Sequence, residues 1–398
     1  MKVAIFGASG FAGATLVEHL LGRADIETRA LIHSSGNAWR LARTGAPMTV
    51  VDVTSPSQVS EALDGCTHVV NCTRGSRTVM FDGLKHMLAA SKNAKIRRFV
   101  HLSSVAVYGD PPSATSEREE APPLPAPRTY GEEKLQQDRM VADAAQAGLD
   151  CIVLCLPNIS GVYSSFVCNV LSDMRKGSLG LVDGGLRPLN TVDVDNLAYA
   201  ITLALHAAKG DGKRIFVTDG VGSTWKDLAD ALMPLAELSE PPPVISERAL
   251  QSPPVERGET VSLWRSMKHL VSSDVREALR RDPLWAKFDG RLRRFAAAGG
   301  RNLEDRLRES IEGARKVAKV PDPYPYSSRY NAMQLRGVWH RIDRAHEVLG
   351  YKPPLDFTAS TARFRLWYET MHGFGQQFWP LASVLNKFSG DGHKDRQS

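Results

Sequence analysis

A glycine triplet at the start of the chain limits most of what can follow it. Lys2-Val3-Ala4-Ile5-Phe6 is a short apolar run, Gly7-Ala8-Ser9-Gly10-Phe11-Ala12-Gly13 follows directly, and residues 11–22 carry helical periodicity. In such a strand–turn–helix the first glycine permits the tight turn. Gly10 lets backbone approach a pyrophosphate, and Gly13 lets the helix lie close to the strand. The helix N-terminus then offers unpaired N–H groups and the positive end of its dipole to phosphate. Ser9 and Phe11 lie inside the turn and join the glycines as expected dinucleotide contacts.

The next 150 residues alternate. Apolar runs at Thr28–Ile32, Met48–Val53, His68–Cys72, Arg98–Leu102 and Asp150–Leu156 are separated by helix-like stretches at Pro56–Leu63, Val79–Ser91 and Lys134–Ala147. Alternation with near-continuous apolar strands predicts an α/β protein of Rossmann type, a doubly wound parallel sheet covered on both faces. Residues 1–163 form the expected dinucleotide-binding domain, with 187–218 returning to it through a strand at Lys213–Thr218. A smaller, mostly helical substrate-binding domain is expected from 164–186 and 219–390, starting its second part with an amphipathic helix at Thr224–Met233. Pro111–Pro127 reads as an exposed loop, Ser239–Pro254 as a linker or pocket rim, and 391–398 as a frayed tail.

The end of the second strand bears on the cofactor. Dinucleotide folds place an acid there to hold the adenosine ribose hydroxyls. Here His33 stands at that point, with Ser34 and Ser35 beside it and Arg40 and Arg43 soon after. Without a carboxylate to repel a 2′-phosphate, NADP is favoured over NAD. Asp52 and Val53 end the third strand near the expected adenine edge, and Asn71 ends the fourth.

Tyr130-Gly131-Glu132-Glu133-Lys134 carries the chemistry. Residues four apart share a helix face, so Tyr130 and Lys134 point into one pocket. A phenol titrates near ~10 and is a poor base at neutral pH. A neighbouring ammonium and an oxidised nicotinamide favour the phenolate and bring it nearer the working pH. Lys134 can also hold the cofactor ribose. Ser104, at the carboxyl end of the fifth strand and 26 residues before Tyr130, is placed to bond a substrate oxygen, with Ser103 as its neighbour on the cofactor side.

Gly7-x-x-Gly10-x-x-Gly13, Ser103-Ser104-x-x-Val107-Tyr108-Gly109 and Tyr130-x-x-x-Lys134 together resemble the extended short-chain dehydrogenase/reductase family. The likeness is greatest to its NAD-dependent epimerase/dehydratase branch, which acts on nucleotide sugars. It runs through residue 230 and returns at Ile342–Pro353. The resemblance implies a catalytic triad of Tyr130, Lys134 and Ser104, substrate contact at Val105, and cofactor and substrate contact at Pro157 and Asn158. Departures are clear: Cys155, Ser160, Val162 and Asn196 stand where the family usually has Arg, Tyr, Pro and Asp. Val105-Ala106 also replaces the Asp-Glu pair of the sugar dehydratases, which weakens a water-elimination chemistry.

The remainder is read for substrate and partners. Arg187, Arg265, Arg329 and Arg336 are candidates for clamping a diphosphate bidentately, with Arg187 and Arg336 foremost. Tyr324-Pro325-Tyr326 and Trp339 are candidate stacking groups. The net charge of +6 is concentrated in 256–320, with 16 Lys/Arg against 10 Asp/Glu and two Trp (Trp264, Trp285). This basic helical insertion is expected to be a lid or oligomer contact, with peripheral membrane contact second.

No aromatic-basic motif accompanies that charge, so no nucleic-acid partner is expected. The five cysteines have no metal-ligand spacing and read as reduced, buried residues. With no apolar run of spanning length and no signal-like start, a cytoplasmic homodimer is expected. The first functional expectation is an NAD(P)-dependent epimerase or reductase of a sugar nucleotide, serving polysaccharide or glycosylated-metabolite synthesis. The second is an NADPH-dependent reductase or dehydrogenase of a non-sugar carbonyl, marked by an apolar, phosphate-free pocket. The third is a non-catalytic cofactor-binding regulator.

Overall fold

The computed structural model describes residues 1–251 and 328–372. The chain divides into two compact units, residues 1–249 with 326–398, and residues 250–325. The basic insertion at 256–320 with Arg265, Trp264 and Trp285, the Tyr324-Pro325-Tyr326 segment and the 391–398 tail lie outside the described residues.

Eleven strands are present among the described residues. They are β1 (Lys2–Phe6), β2 (Glu27–Ile32), β3 (Met48–Val50), β4 (His68–Asn71), β5 (Arg98–Ser104), β6 (Cys151–Leu156), β7 (Asn158–Ser160), β8 (Leu181–Val182), β9 (Thr191–Asp193), β10 (Arg214–Phe216) and β11 (Val244–Ile245). Seven pair in the order β10-β6-β5-β4-β1-β2-β3, every pair parallel. The chain starts at β1 and winds outward in both directions, so strand order reverses beside β1. That switch point, at the carboxyl edge, is where open α/β sheets bind ligands.

Apolar clusters cover both faces of the sheet. Val3, Ile5, Leu16, Val100, Ile152 and Ile201 belong to one cluster, and Ala4, Phe6, Leu84, Phe99, Val141 and Val153 to another. The alternation within β1 and β6 assigns successive side chains to opposite clusters, as a twice-covered strand requires. A third cluster joins Phe166, Leu171, Trp225, Leu232, Tyr330 and Phe364, within the span expected to hold substrate.

Differences from the sequence reading are local. The third strand ends at Val50, and Asp52 closes a turn instead, its carboxylate accepting from the Thr54 backbone N (2.9 Å) and hydroxyl (2.7 Å). The fifth strand ends at Ser104, as expected. The Pro-rich Ser239–Pro254 stretch is not simply a linker in its described part. Val244 and Ile245 pair in parallel with β8, and β7 pairs with β9 in a second small sheet.

The helix Phe11–Leu20 (α1) is seated on β1 by glycine. A Cβ on Gly13 would lie 2.3 Å from the Gly7 carbonyl oxygen, whereas one on Gly22 would meet nothing within 4 Å. Gly13→Ala is therefore expected to lose about 1–3 kcal/mol from overpacking, and Gly22→Ala less than about 0.5 kcal/mol. Urea unfolding monitored by circular dichroism checks both.

Candidate active site

The glycine corner has the form a dinucleotide requires. Gly7 adopts φ +75°, and a Cβ there would come within 2.8 Å of the Cys72 carbonyl. Gly10 caps α1 without a side-chain hydrogen bond, and no acid occupies the first turn. The first-turn N–H groups of Phe11 and Ala12 thus face outward under a positive dipole, with the Gly10 backbone bare of side chain. These residues fit a pyrophosphate.

Around it, the expected contacts are placed unequally. His33 is exposed just beyond β2, followed by a half-buried Ser34 and an exposed Ser35. Arg40 is committed elsewhere. Its guanidinium grips Glu18 at 2.8 and 2.5 Å, donates to Thr15 Oγ1 at 2.8 Å and lies 4.4 Å over the Tyr163 ring. Arg43 stays at the surface, donating to the Tyr163 hydroxyl at 3.1 Å. Val53 is buried, and its carbonyl accepts from His86 Nδ1 at 3.1 Å. Asn71 is turned into the core: its Oδ1 accepts from Thr73 N (3.0 Å) and Oγ1 (2.7 Å), and its amide nitrogen meets His101 Nδ1 at 3.2 Å. That side chain shapes the loop passing Gly7 and is not free to meet a cofactor.

The groups expected to react come from β5 and the helix Tyr130–Gln146. Ser104 ends β5 and caps a 3-10 turn, Val105–Tyr108, by accepting from Ala106 N at 3.3 Å. Thr129 caps the helix at Glu132 N. Gly131 lets the first helical turn lie flush on the 3-10 turn, since a Cβ there would sit 2.2 Å from the Ala106 carbonyl oxygen. This close approach brings Tyr130 up to Ser104, whose hydroxyl favours the phenol's ionised form. Lys134, one turn on, is buried and donates to the Leu102 carbonyl at 2.9 Å.

The electrostatics differ from the sequence reading. Burial raises the Tyr130 phenol above its ordinary value, and Arg74 leads the influences that oppose it, ahead of Ser104. The lowering role assigned from sequence to Lys134 falls first to Arg74, whose guanidinium stands 5.1 Å over the Tyr130 ring. Lys134 is itself pushed down to about 8, chiefly by burial, while Asp138 acts to keep it charged. Asp138 is buried and takes hydrogen bonds from Ser103 Oγ (2.9 Å) and Arg214 Nε (2.7 Å). Ser103 is thus turned inward as a support, and Ser104 is the serine beside the phenol. Sequence reasoning missed Asp138, Arg214 and Arg74. Spacing alone flags Asp138, four residues past Lys134 on the same face; the other two come together only through the fold.

A small, solvent-open cleft lies beside this set. Its walls include Val105, Ala106, Pro157, Trp225, Met333 and Pro112, with Asn158, Asn190, Arg336 and His340 as its polar groups. Arg336 is held bidentately by Asp110 at 2.9 and 2.7 Å. His340 donates from Nδ1 to the Ser116 carbonyl (2.8 Å), and burial pushes its pKa down to about 4. Asn158 makes only a 3.9 Å contact with Met333 Sδ through its nitrogen. Arg187 does not line the cleft; Asp183 and Glu247 hold its guanidinium. Arg329 bonds the Tyr330 hydroxyl at 2.8 Å, and Trp339 donates to the Ser223 carbonyl at 3.4 Å. Among the described residues no cluster of metal-binding side chains occurs, and no helix is long and apolar enough to cross a membrane.

Comparison with known proteins agrees with this geometry. The model of the NAD dependent epimerase/dehydratase family matches residues 3–218. The chain is similar to the 4-hydroxy-2-methyl-3-oxo-4-farnesyl-3,4-dihydroquinoline-1-oxide ketoreductase of Stigmatella aurantiaca, at 28% identity over 55% of this chain and 69% of that one. It is also similar to the 2-alkyl-3-oxoalkanoate reductase of Shewanella oneidensis, at 27% identity over 58% of this chain and 64% of that one. Among solved structures, UDP-glucuronic acid 4-epimerase from Bacillus cereus in complex with NAD superimposes with a TM-score of 0.59 at 15% identity, covering 92% of this chain and all of that one.

The buried lysine generates a pH prediction. Lys134 holds its proton below about 8 and loses it above, so turnover that needs the ammonium falls on the alkaline side near that pH. Asp138→Asn removes an influence that raises Lys134, so the alkaline limb of kcat/KM is expected to move to lower pH. A pH–rate profile of both proteins reads the shift.

Proposed function

The chain belongs to the NAD dependent epimerase/dehydratase family, and on that premise we propose that it is an NAD(P)-dependent reductase or dehydrogenase of a non-sugar carbonyl compound. What carries this reading is the state of the cleft. Its walls are mainly apolar, its guanidinium is already matched by Asp110, and its imidazole is held neutral. A diphosphate placed there would meet Asp110 and no unmatched cation among the described residues. An apolar ketone would meet Val105, Trp225 and Met333. The two curated relatives, named as a ketoreductase and an oxoalkanoate reductase, support the same class.

Bound on the Gly7–Gly13 corner, the dinucleotide would supply or accept the hydride. The chain's own residues manage the proton and the oxygen. Tyr130 gives its phenolic proton to the carbonyl oxygen in reduction and takes it back from the hydroxyl in oxidation. Ser104 Oγ accepts from Ala106 N, which leaves its O–H to donate to the same oxygen as negative charge develops there. Lys134, anchored on the Leu102 carbonyl one turn on from Tyr130, supplies a positive charge on the cofactor side of the site. Asn158, at the border of the corner and the cleft, orients the bound substrate. NADP is favoured over NAD because His33, Ser34 and Ser35 follow β2 without a carboxylate. Arg43 is the nearby cation that remains at the surface, since Arg40 is taken by Glu18.

Sugar-nucleotide epimerisation is the second reading, and the pairing of Arg336 with Asn158 in one cleft favours it. It would require the Arg336–Asp110 pair to open onto a diphosphate. Assay of NADPH-dependent reduction of alkyl and aryl ketones beside turnover of UDP-glucose separates the two. Ketone reduction is expected, faster with NADPH than with NADH. Turnover of the UDP-sugar without any ketone reduction would establish the second reading instead. In Tyr130→Phe the reaction is expected to slow by roughly 10²–10⁴-fold while fluorescence titration still detects bound dinucleotide. A full rate in that variant would refute the proton role.

A further inference from the structure

One strong charge beside the phenol, which favours its ionised form, has no substrate contact assigned to it so far. The loop after β4 runs along the first turn of the Tyr130 helix in two matching steps. Arg74 stands over Tyr130 with its guanidinium 5.1 Å from the ring centre, and Arg77 lies 3.5 Å from Glu133. Arg74 and Arg77 are three residues apart, as are Tyr130 and Glu133, so the two contacts run in step along the helix. The two arginines differ in their partners. Arg77 has a carboxylate and also covers the Phe81 ring at 4.7 Å. Arg74 is exposed, and among the described residues no carboxylate pairs with it.

That leaves two cations at one end of the site. Lys134 lies beneath, and Arg74 acts on it as a like charge. The nearest buried acid, Asp138, is held by Arg214 and Ser103. A surface that accumulates unmatched positive charge around a reacting atom attracts an anion, and a guanidinium presents a carboxylate with a bidentate partner. The cleft walled by Val105, Trp225 and Met333 offers apolar contact instead.

We propose that Arg74 is a specificity residue that pairs with an anionic group of the substrate close to the carbon on which Tyr130 acts. The preferred substrate is then an amphiphile: a carboxylate near the carbonyl, taken by Arg74, and an apolar chain that lies in the cleft. The inference rests on the reductase reading and adds to it the charge of the substrate.

The test compares 3-oxododecanoate with its methyl ester in the wild-type protein, Arg74→Gln and Arg74→Lys, with dinucleotide affinity measured in each. The wild type is expected to prefer the acid by about 10–100-fold in kcat/KM, the range of a charge-assisted pair. In Arg74→Gln the preference should collapse toward unity through a raised KM for the acid, and Arg74→Lys should keep part of it. Equal rates on acid and ester in the wild type, or an unchanged preference in Arg74→Gln, would overturn the proposal while leaving the reductase reading in place. A tenfold loss of dinucleotide affinity in Arg74→Gln would overturn it by making Arg74 a cofactor ligand. Thermal shift with laurate and dodecanol in the cofactor-saturated protein covers the case in which neither ketone is reduced. Stabilisation by laurate alone, lost in Arg74→Gln, upholds the anion site although the reductase reading falls. No response to laurate in the wild type overturns the site as well.

Discussion

Two helices reach the carboxyl edge of this sheet because a glycine in each removes the atom that would hold them off. At Gly13 the obstacle would be the Gly7 carbonyl oxygen, and at Gly131 the Ala106 carbonyl oxygen. The first approach puts the positive end of α1 over the turn where a pyrophosphate fits. The second presses the start of the Tyr130 helix onto the turn that follows Ser104. Both contacts are backbone against backbone, which a side-chain rotamer cannot relieve. The distance between the phosphate corner and the proton donor is therefore set by the sheet, through β1 and β5, rather than by flexible loops.

Beneath the reactive groups runs a buried polar column. Asp138 joins Ser103 to Arg214, Arg214 reaches the Tyr108 hydroxyl at 3.4 Å, and that hydroxyl donates to the Glu119 carbonyl at 2.9 Å. The Glu119 side chain in turn accepts from Phe216 N at 2.7 Å, which ties the Pro-rich loop to edge strand β10. Charges buried this way cost desolvation, and breaking one partner away typically costs about 3–5 kcal/mol. The return is geometric. Asp138 keeps a negative charge one turn below Lys134, which opposes the burial that would otherwise neutralise the ammonium. Stability and the charge state of Lys134 thus share the same carboxylate.

Much of the fold was legible because periodicity and turn chemistry are local. The strand–glycine–helix start, the alternation of apolar runs and the parallel sheet follow from spacing in the sequence. Ends were less legible: the third strand stops at Val50, and Asp52 closes a turn instead. In the site, the i,i+4 relation of Tyr130 and Lys134 was readable, as was Ser104 by its place at a strand end. The fates of individual charges were not. Arg40 resembles a phosphate ligand in sequence yet is spent on Glu18, and Arg187 is spent on Asp183 and Glu247. Asn71 sits at a strand end like a cofactor contact, but its amide folds the next loop. Whether a polar side chain is free depends largely on partners far along the chain, such as Glu18 for Arg40, His101 for Asn71 and Glu247 for Arg187, and no local pattern reports those.

Matched and unmatched charges therefore discriminate between substrates better than the number of arginines does. Counting alone, Arg187, Arg329 and Arg336 look like a diphosphate clamp. In the fold, Arg187 is ion-paired, Arg329 is bonded to a tyrosine, and Arg336 lies under Asp110. Recruiting Arg336 for a diphosphate would mean breaking a bidentate pair and leaving Asp110 to repel the ligand. Recruiting Arg74 breaks no carboxylate pair among the described residues and relieves its repulsion with Lys134. On the proposed reading the chain would disfavour phosphate in the cleft and favour a single negative charge beside the phenol. That asymmetry is the physical ground for preferring a small amphiphilic ketone over a nucleotide sugar as the occupant of this site.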